Sequence, residues 1–156
     1  MSKSHRYATT LTWTGNTGEG TASYRAYERA YEVAAEGKPA LLGSSDPSFR
    51  GDAGRWNPEE LLLAALSQCH LLSYLHVATL HGIVVEEYVD AATGTMEQTA
   101  NGGGHFTSAT LRPVVTISAG DPAVALAIHL EASEKCFIAA SVNFPVGHEP
   151  QVVVRT

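Results

Sequence analysis

The sequence predicts an α+β fold in which an antiparallel sheet packs against two central helices. Two segments rich in Leu and Ala, each preceded by a capping residue and a proline, predict the helices. Alternating β-prone segments surround them, and the order along the chain is β-β-α-β-β-α-β. With 156 residues and 44% apolar content, the chain is long enough for one core and short for two. We therefore expect a single domain over residues 1–156.

The N-terminal third predicts a hairpin or short meander followed by a long loop. Leu11 and Trp13 lie on one side of an alternating strand, and a glycine-rich turn follows over residues 15–20. The next β-prone residues are Tyr24, Tyr27, Tyr31 and Val33. Residues 36–56 are rich in Gly, Pro, Ser and Asp, which predicts an ordered loop, and a loop of that length in a small domain is usually functional.

The first helix is predicted to run from Pro58 to about His81. Asn57 caps it and forms a capping box with Glu60, while Gly82 marks its C-terminal end. Because the segment is apolar on nearly every side, we expect the helix to be buried on most faces. Polar residues interrupt the apolar run, so we do not expect it to span a membrane. They are Ser67, Gln68, His70, Ser73, His76 and Thr79.

The second half predicts a long hairpin, a second helix and a final strand. Residues 83–98 and 106–118 are β-prone and flank a turn that contains three consecutive glycines. Asp121 and a following proline predict a second helix that runs to about Ala139. A last strand is predicted over residues 151–155.

Charge and cysteine content exclude several classes of function. Sixteen acidic against ten basic residues give a net charge of −6, so neither nucleic acid nor an anionic membrane is an expected partner. The N-terminus has no apolar stretch of the kind found in signal peptides, and we expect a cytoplasmic protein. Two cysteines in a reducing compartment do not form a disulfide scaffold, so their surroundings decide their role.

Each predicted helix carries one cysteine. Cys69 lies near the middle of the first helix and Cys136 late in the second. Either could be a small buried hydrophobic residue. Two packed helices could also bring both thiols within disulfide range. Because Cys69 is far from a helix N-terminus, a reactive Cys69 needs a cation from elsewhere in the fold.

The motif around Cys69 resembles a known family. Asn57-Pro58-Glu59-Glu60-Leu61, Ala64-Ala65 and Cys69, followed by Glu134-Lys135-Cys136 and Ser141-Val142, resemble the osmotically inducible protein C and organic hydroperoxide resistance (OsmC/Ohr) family. The resemblance implies an intertwined α+β homodimer that acts as a thiol-dependent peroxidase on organic hydroperoxides. It implies no cofactor and a dithiol reductant, either a small molecule or a lipoyl- or thioredoxin-like protein.

The resemblance also implies a role for each site residue. Cys69 takes the place of the peroxidatic cysteine, Cys136 that of the resolving cysteine, and Glu59 that of the acid that orients an arginine. Both Arg50 and Arg55 precede the motif, and we favour Arg50. The residue types suit the chemistry, since arginine supplies charge and hydrogen-bond donors to the sulfur while a carboxylate fixes its geometry. The apolar residues around Cys69 would suit an alkyl or lipid-like peroxide tail.

Helix geometry adds an argument for the homodimer. Ten residues separate Glu59 from Cys69, which is roughly 15 Å along a straight helix. If both serve one site, Glu59 must come from an antiparallel helix, most simply that of a two-fold-related copy.

Three alternatives remain open on sequence grounds. His70 and His76 depart from the family pattern, and they either tune the thiolate or lie on a neighbouring face. Cys69 and His76, with His129 or Cys136, could converge on a metal, although no paired ligand spacing occurs and we predict none. A non-catalytic protein that binds an apolar ligand or senses redox state is the other alternative.

Overall fold

The computed structural model describes residues 2–155 and divides into two compact units that meet in sequence at Leu61 and Leu62. The first unit contains a three-stranded antiparallel sheet in the order β1-β2-β3. Its strands are β1 (Thr10–Trp13), β2 (Tyr31–Ala34) and β3 (Leu41–Gly43), and a short 3-10 helix follows over Pro47–Phe49. The β1–β2 pairing confirms the expected meander.

Two details of this unit differ from the sequence prediction. Tyr24 lies in a turn before β2, and Tyr27 forms an isolated antiparallel bridge with Asn16. The guanidinium carbon of Arg29 lies 4.2 and 4.1 Å from the centroids of the two tyrosine rings. The tyrosines therefore pack around a cation instead of joining the β2 ladder. Within the predicted loop, Leu41–Gly43 forms β3, whose three residues pair with β2.

The first helix, α1 (Pro58–Leu80), spans the sequence boundary between the units and begins as predicted. The side chain of Asn57 accepts a hydrogen bond from the Glu60 amide at 2.8 Å, and the carboxylate of Glu60 accepts one from the Asn57 amide at 3.4 Å. Gly82 follows the helix with φ of 67°, the left-handed conformation that glycine adopts without steric cost. The capping box and the glycine stop are both confirmed.

Within one chain, α1 is buried along one side, so the expected burial on most faces is not provided by the chain's own core. One stripe is buried, whereas Leu72 and Leu80 are 66% and 63% exposed. The buried residues of α1 are Leu66, His70, Tyr74, Val77 and Ala78. They recur at spacings of three and four, so the core covers one side of the helix. By length and composition alone α1 could cross a membrane, a test that core helices of soluble proteins also pass.

The second unit contains two three-stranded sheets, ordered β4-β7-β9 and β5-β6-β8. The predicted long hairpin forms β4 to β7, with β5 paired to β6 and β4 to β7 in antiparallel fashion. Two C-terminal strands then add in parallel, β8 to β6 and β9 to β7. The strands are β4 (Val84–Asp90), β5 (Thr93–Gln98), β6 (Gly104–Leu111), β7 (Pro113–Ala119), β8 (Val146–His148) and β9 (Gln151–Val154). The α+β class with antiparallel-rich sheets is confirmed.

The second helix, α2 (Pro122–Glu134), packs against α1 through side chains. Asp121 caps it by accepting a hydrogen bond from the Ala123 amide at 2.8 Å, and the Tyr74 hydroxyl donates to the Ala125 carbonyl at 2.9 Å. The shared core contains Tyr74, Val77, Ala78, Ile83, Val115, Ile117, Ala125, Ile128 and Ala132. The packing of the two helices is therefore as predicted.

The second helix ends earlier than predicted, and Cys136 lies beyond it. Its last turn closes with tighter bonds, in which the amides of Lys135 and Cys136 donate to carbonyls three residues earlier at 3.2 Å. The apolar residues that suggested a continuation to Ala139 lead instead into a short 3-10 helix over Ala139–Ser141. Cys136 therefore lies in the connection between the two helices, with its amide bonded to the Ser133 carbonyl and its carbonyl to the Ala140 amide.

Candidate functional site

A cavity in the second unit opens beside Cys69. It has a volume of about 640 Å³ and is mainly apolar. We call it the cysteine cavity, and its lining residues are Cys69, Leu72, Ser73, His76, Glu134, Lys135 and Phe137. The first four lie on one face of α1 because they recur at spacings of three and four. Cys69 is half-buried, so its sulfur borders space that a small organic molecule can enter.

Cys136 lies next to Cys69 and behind the cavity wall. It is only 2% exposed, and the two cysteines are free thiols. Burial, together with the hydrogen bond to Cys69, raises the pKa of the Cys136 thiol to about 11. Cys136 therefore stays protonated near neutral pH. The amide of Ala139 points at its sulfur from 3.4 Å.

Lys135, a charged residue of the cavity lining, is held in place by Glu131, which is not part of the lining. Lys135 forms an ion pair with Glu131, four residues earlier on α2, and His81 contacts the same carboxylate at 2.9 Å. Hydrogen bonds from Lys135 and His81 lower the pKa of Glu131. This arrangement places a fixed ammonium group beside the cavity.

The two histidines that follow Cys69 on α1 face different ways. His76 is exposed and lines the cysteine cavity, so it shares the face of the sulfur. His70 is fully buried and turns into the interior, where its Nε2 lies 3.0 Å from Nδ1 of His129. Its ring also packs against His148, with 4.4 Å between the ring centroids. Of the two alternatives, a neighbouring face therefore applies to His70.

His70, His129 and His148, here called the histidine cluster, are neutral near pH 7. Burial is the main cause that lowers their pKa values, to about 3 for His70 and about 4 for His129. Burial also lowers the pKa of His148, while the charge of Asp90 opposes the shift. His148 also lowers the pKa of each of the other two histidines.

In the first unit, Tyr31 lies close to both Arg55 and Glu59. The guanidinium of Arg55 donates to the Tyr31 carbonyl at 3.4 Å and contacts Asp52 at 3.7 Å. Burial raises the pKa of the Tyr31 hydroxyl, and the nearby charge of Glu59 adds to the rise. One carboxylate oxygen of Glu59 is buried without a hydrogen-bond partner among residues 2–155. It therefore retains the capacity to accept a bond from a cation.

Arg50 occupies a different environment. It follows the 3-10 helix with φ of 65°, an uncommon conformation for a residue with a side chain, and it is exposed. Arg55, by contrast, has a side chain that is only 26% exposed. The choice of Arg50 as the activating residue stays a prediction, as do the roles of Cys69, Cys136 and Glu59.

Neither the histidine cluster nor the apolar wall formed by Phe137 is predicted from the sequence. His70 lies four residues after the buried Leu66 and four before the buried Tyr74, so helical spacing could have placed it in the core. His129 and His148 come from α2 and β8, and no local pattern links them to α1. Within residues 2–155, no three His, Cys, Asp or Glu side chains are arranged to hold a metal ion.

Comparisons with known proteins agree on one family. The family model for OsmC-like protein matches residues 51–149. A solved OsmC-like protein of unknown function from Vibrio cholerae is 30% identical, with a TM-score of 0.85 over 94% of this chain and 99% of that one. No curated protein is significantly similar in sequence.

Two more distant structures share the fold. An organic hydroperoxide resistance protein from Elizabethkingia anophelis is 17% identical, with a TM-score of 0.67 over 99% of this chain and all of that one. A putative organic hydroperoxide resistance protein from Vibrio cholerae, with captopril in one active site, is 19% identical. Its TM-score is 0.68 over 97% of this chain and 94% of that one.

Proposed function

Because the chain belongs to the OsmC-like protein family, we propose that it is a thiol-dependent peroxidase that reduces organic hydroperoxides. The observation that carries the proposal is the pairing of a half-buried Cys69 at an open cavity with a buried, protonated Cys136 beside it. A peroxidase of this kind needs one thiol that reacts with the peroxide and a second thiol that reacts with the resulting sulfenic acid. Structural neighbours named as hydroperoxide resistance proteins support organic hydroperoxides as the proposed substrate class.

In the first step the Cys69 thiolate attacks the terminal oxygen of the hydroperoxide. The O–O bond breaks, the sulfur gains an OH group to become a sulfenic acid, and the alkoxide leaves and takes up a proton as an alcohol. The sulfur is oxidised by two electrons and the peroxide is reduced by two. Leu72 and Phe137 supply apolar surface for the organic part of the substrate.

In the second step Cys136 resolves the sulfenic acid. Its sulfur attacks that of Cys69, a disulfide forms, and the OH group leaves as water after taking up the Cys136 proton. Cys136 lies in the connection that follows α2, and its thiol is within hydrogen-bonding range of Cys69, which supports this pairing. A dithiol reductant, either a small molecule or a lipoyl- or thioredoxin-like protein, then returns both cysteines to thiols.

Arg50 and Glu59 complete the proposed site. The guanidinium would stabilise the Cys69 thiolate and donate a hydrogen bond to the leaving alkoxide, while Glu59 orients it. The unpaired buried oxygen of Glu59 supports this role. Because Glu59 and Cys69 are roughly 15 Å apart along α1, we propose that a second copy supplies one of them. The exposed Leu72 and Leu80 give α1 apolar surface for such a homodimer.

The test is the consumption of cumene hydroperoxide at pH 7 with dihydrolipoate as the reductant. Cys69→Ser should reduce turnover to the uncatalysed rate and keep the circular dichroism spectrum, because the hydroxyl replaces a thiol in a half-buried position. His76→Asn, which alters the same cavity but leaves both sulfurs, is the matched control and should retain turnover. Full activity of the Cys69→Ser variant would refute the proposal.

A second candidate function is the binding of an apolar ligand without catalysis. The volume of about 640 Å³ and the apolar lining of the cysteine cavity favour it, since both are typical of small-molecule sites. The same assay separates the two functions. If the protein only binds a ligand, the wild-type chain, with both cysteines intact, should consume no peroxide.

A further inference from the structure

Ser73 lies one turn beyond Cys69 on α1 and contacts the segment that carries Cys136. Residues four apart on a helix are neighbours on its surface, and both side chains line the cysteine cavity. The Ser73 hydroxyl donates a hydrogen bond to the carbonyl of Lys135 at 3.4 Å. Lys135 is the C-cap of α2 and directly precedes Cys136. The hydroxyl therefore joins the helix of one cysteine to the chain segment of the other.

The peptide group between Lys135 and Cys136 is held at both of its polar atoms. Its carbonyl oxygen accepts the bond from Ser73, and its N–H donates to the Ser133 carbonyl at 3.2 Å. A peptide group is planar, so restraining both atoms also restrains the position of the Cys136 Cα. Carbonyls at the end of a helix have no partner within it, which leaves this one free to accept from a neighbouring helix.

Bonds within the segment do not link it to α1. The Cys136 carbonyl accepts from the Ala140 amide at 3.1 Å, and the Ala139 amide points at the Cys136 sulfur from 3.4 Å. Within residues 2–155, two hydrogen bonds connect α1 to residues 135–141, and they are the one from Ser73 and the one between the two cysteine side chains. Ser73 is therefore the side chain of α1 that restrains the backbone of this segment.

We propose that Ser73 is a positioning residue for the second step of the peroxidase reaction, because it holds Cys136 where its sulfur can attack the Cys69 sulfenic acid. The inference rests on the proposed function. In that step the S–S bond forms, the S–O bond breaks, and the OH group leaves as water with the Cys136 proton. The Ser73 hydroxyl exchanges no atom. A disulfide requires the two Cα atoms to lie roughly 4.4–6.8 Å apart, and a loosened segment adopts that geometry less often.

Ser73→Ala should slow the second step and leave the first at the wild-type rate. Alanine is the best helix former, so the change removes the hydroxyl without weakening α1. The loss of one hydrogen bond should slow the conversion of the sulfenic acid to the disulfide by roughly three- to tenfold. The attack of Cys69 on the peroxide should keep its rate, because Ser73 makes no bond to the atoms that react in that step.

The test is a single turnover of the reduced full-length protein with one equivalent of cumene hydroperoxide and an excess of dimedone, which competes with Cys136 for the sulfenic acid. Mass spectrometry gives the ratio of dimedone adduct to disulfide, and stopped-flow kinetics gives the rate of the first step. The ratio should rise by roughly three- to tenfold in Ser73→Ala. Ser73→Thr, which keeps a hydroxyl, should bring it back toward the wild-type value.

Thr79→Val is the matched control, since it removes a hydroxyl of α1 whose hydrogen bond, to the His76 carbonyl at 2.7 Å, stays within the helix. Its ratio should equal that of the wild type. An unchanged ratio in Ser73→Ala, a first step slowed as much as the second, or no recovery in Ser73→Thr would overturn the role of Ser73 and leave the proposed function intact. A wild-type chain that forms neither adduct nor disulfide would refute the proposed function, and the role of Ser73 with it.

Discussion

Cys69 and His70 are neighbours in sequence, yet they lie on different faces of α1, one beside a cavity and the other in the core. Cys69 borders a cavity of about 640 Å³, while His70 is fully buried against His129 and His148. One step along a helix is a rotation of about 100°, which separates the two faces. The difference teaches that position on the helix, rather than chemical type, decides which polar side chain meets a substrate and which becomes part of the core.

We expect the face of α1 that carries Cys69 to depend on a second copy of the chain, and the face that carries His70 not to depend on it. Mixing a Cys69→Ser variant with a Glu59→Gln variant should restore roughly a quarter of wild-type peroxidase activity after random exchange, since half the dimers then hold one intact site of two. Cys69→Ser alone should be inactive, and Glu59→Gln alone should retain about a tenth of wild-type turnover or less, because its arginine is no longer oriented. Peroxide consumption before and after mixing measures the effect, with subunit exchange verified by mass spectrometry.

The control is a mixture of Cys69→Ser with wild-type protein, which gives the activity expected from dilution alone. No recovered activity in the first mixture despite verified exchange would contradict shared sites, and so would a monomer by sedimentation at the assay concentration.

A smaller effect on the same face should follow from removing the activating cation. Replacing Arg50 by Met should slow the reaction of Cys69 with hydroperoxide by about tenfold or more at pH 7, because a thiolate without a cationic partner is less populated. Stopped-flow kinetics of the first step measures it. Arg55→Met is the matched control, and if it produces the loss instead, the assignment within this loop is wrong.

Acid should affect the histidine face by destabilising the fold. The pKa values of His70 and His129 in the folded chain, about 3 and about 4, lie below the ordinary 6.5, so the unfolded chain binds more protons below pH 6.5. Stability is therefore fully present above pH 6.5 and falls as the pH drops toward 4, by an amount on the order of a few kcal/mol. The groups that face the pair are His148, which disfavours protonation, and Tyr74, whose ring stacks on His129.

Urea unfolding at pH 7 and pH 4.5 measures this loss. His129→Gln should reduce the pH dependence, because one group that binds protons only after unfolding is removed. His76→Asn changes an exposed histidine of the same helix and should leave the pH dependence as it is. Equal pH dependence in the wild type and the His129→Gln variant would show that the cluster is not its cause.

The sequence predicted features that depend on neighbouring residues. The capping box of Asn57 and Glu60, the glycine at position 82 and the cap at Asp121 are each decided within a few residues, and all three are confirmed. The end of α2 was predicted too late because Ile138 and Ala139 continue an apolar pattern. The spacing of apolar residues does not show where the last turn of a helix tightens and the helix ends.

Features that depend on distant segments were missed. Strand β8 is three residues long and gains its place through parallel pairing with β6, a contact that no local propensity encodes. The histidine cluster likewise joins α1, α2 and β8, and its members look like scattered polar residues until the fold brings them together. The proximity of Cys69 and Cys136 was predicted from the resemblance and from the packing of two helices, although Cys136 lies past the end of α2.

The most direct test of the account is the product of one oxidation. Reduced protein treated with one equivalent of cumene hydroperoxide, then alkylated and digested, should yield a peptide pair joined by a disulfide between Cys69 and Cys136 of the same chain. The Cys136→Ser variant should instead stop at a Cys69 sulfenic acid, which dimedone traps. Thiols that stay unmodified, or disulfides that form only between chains, would contradict the assignment of Cys69 as the nucleophile that Cys136 resolves.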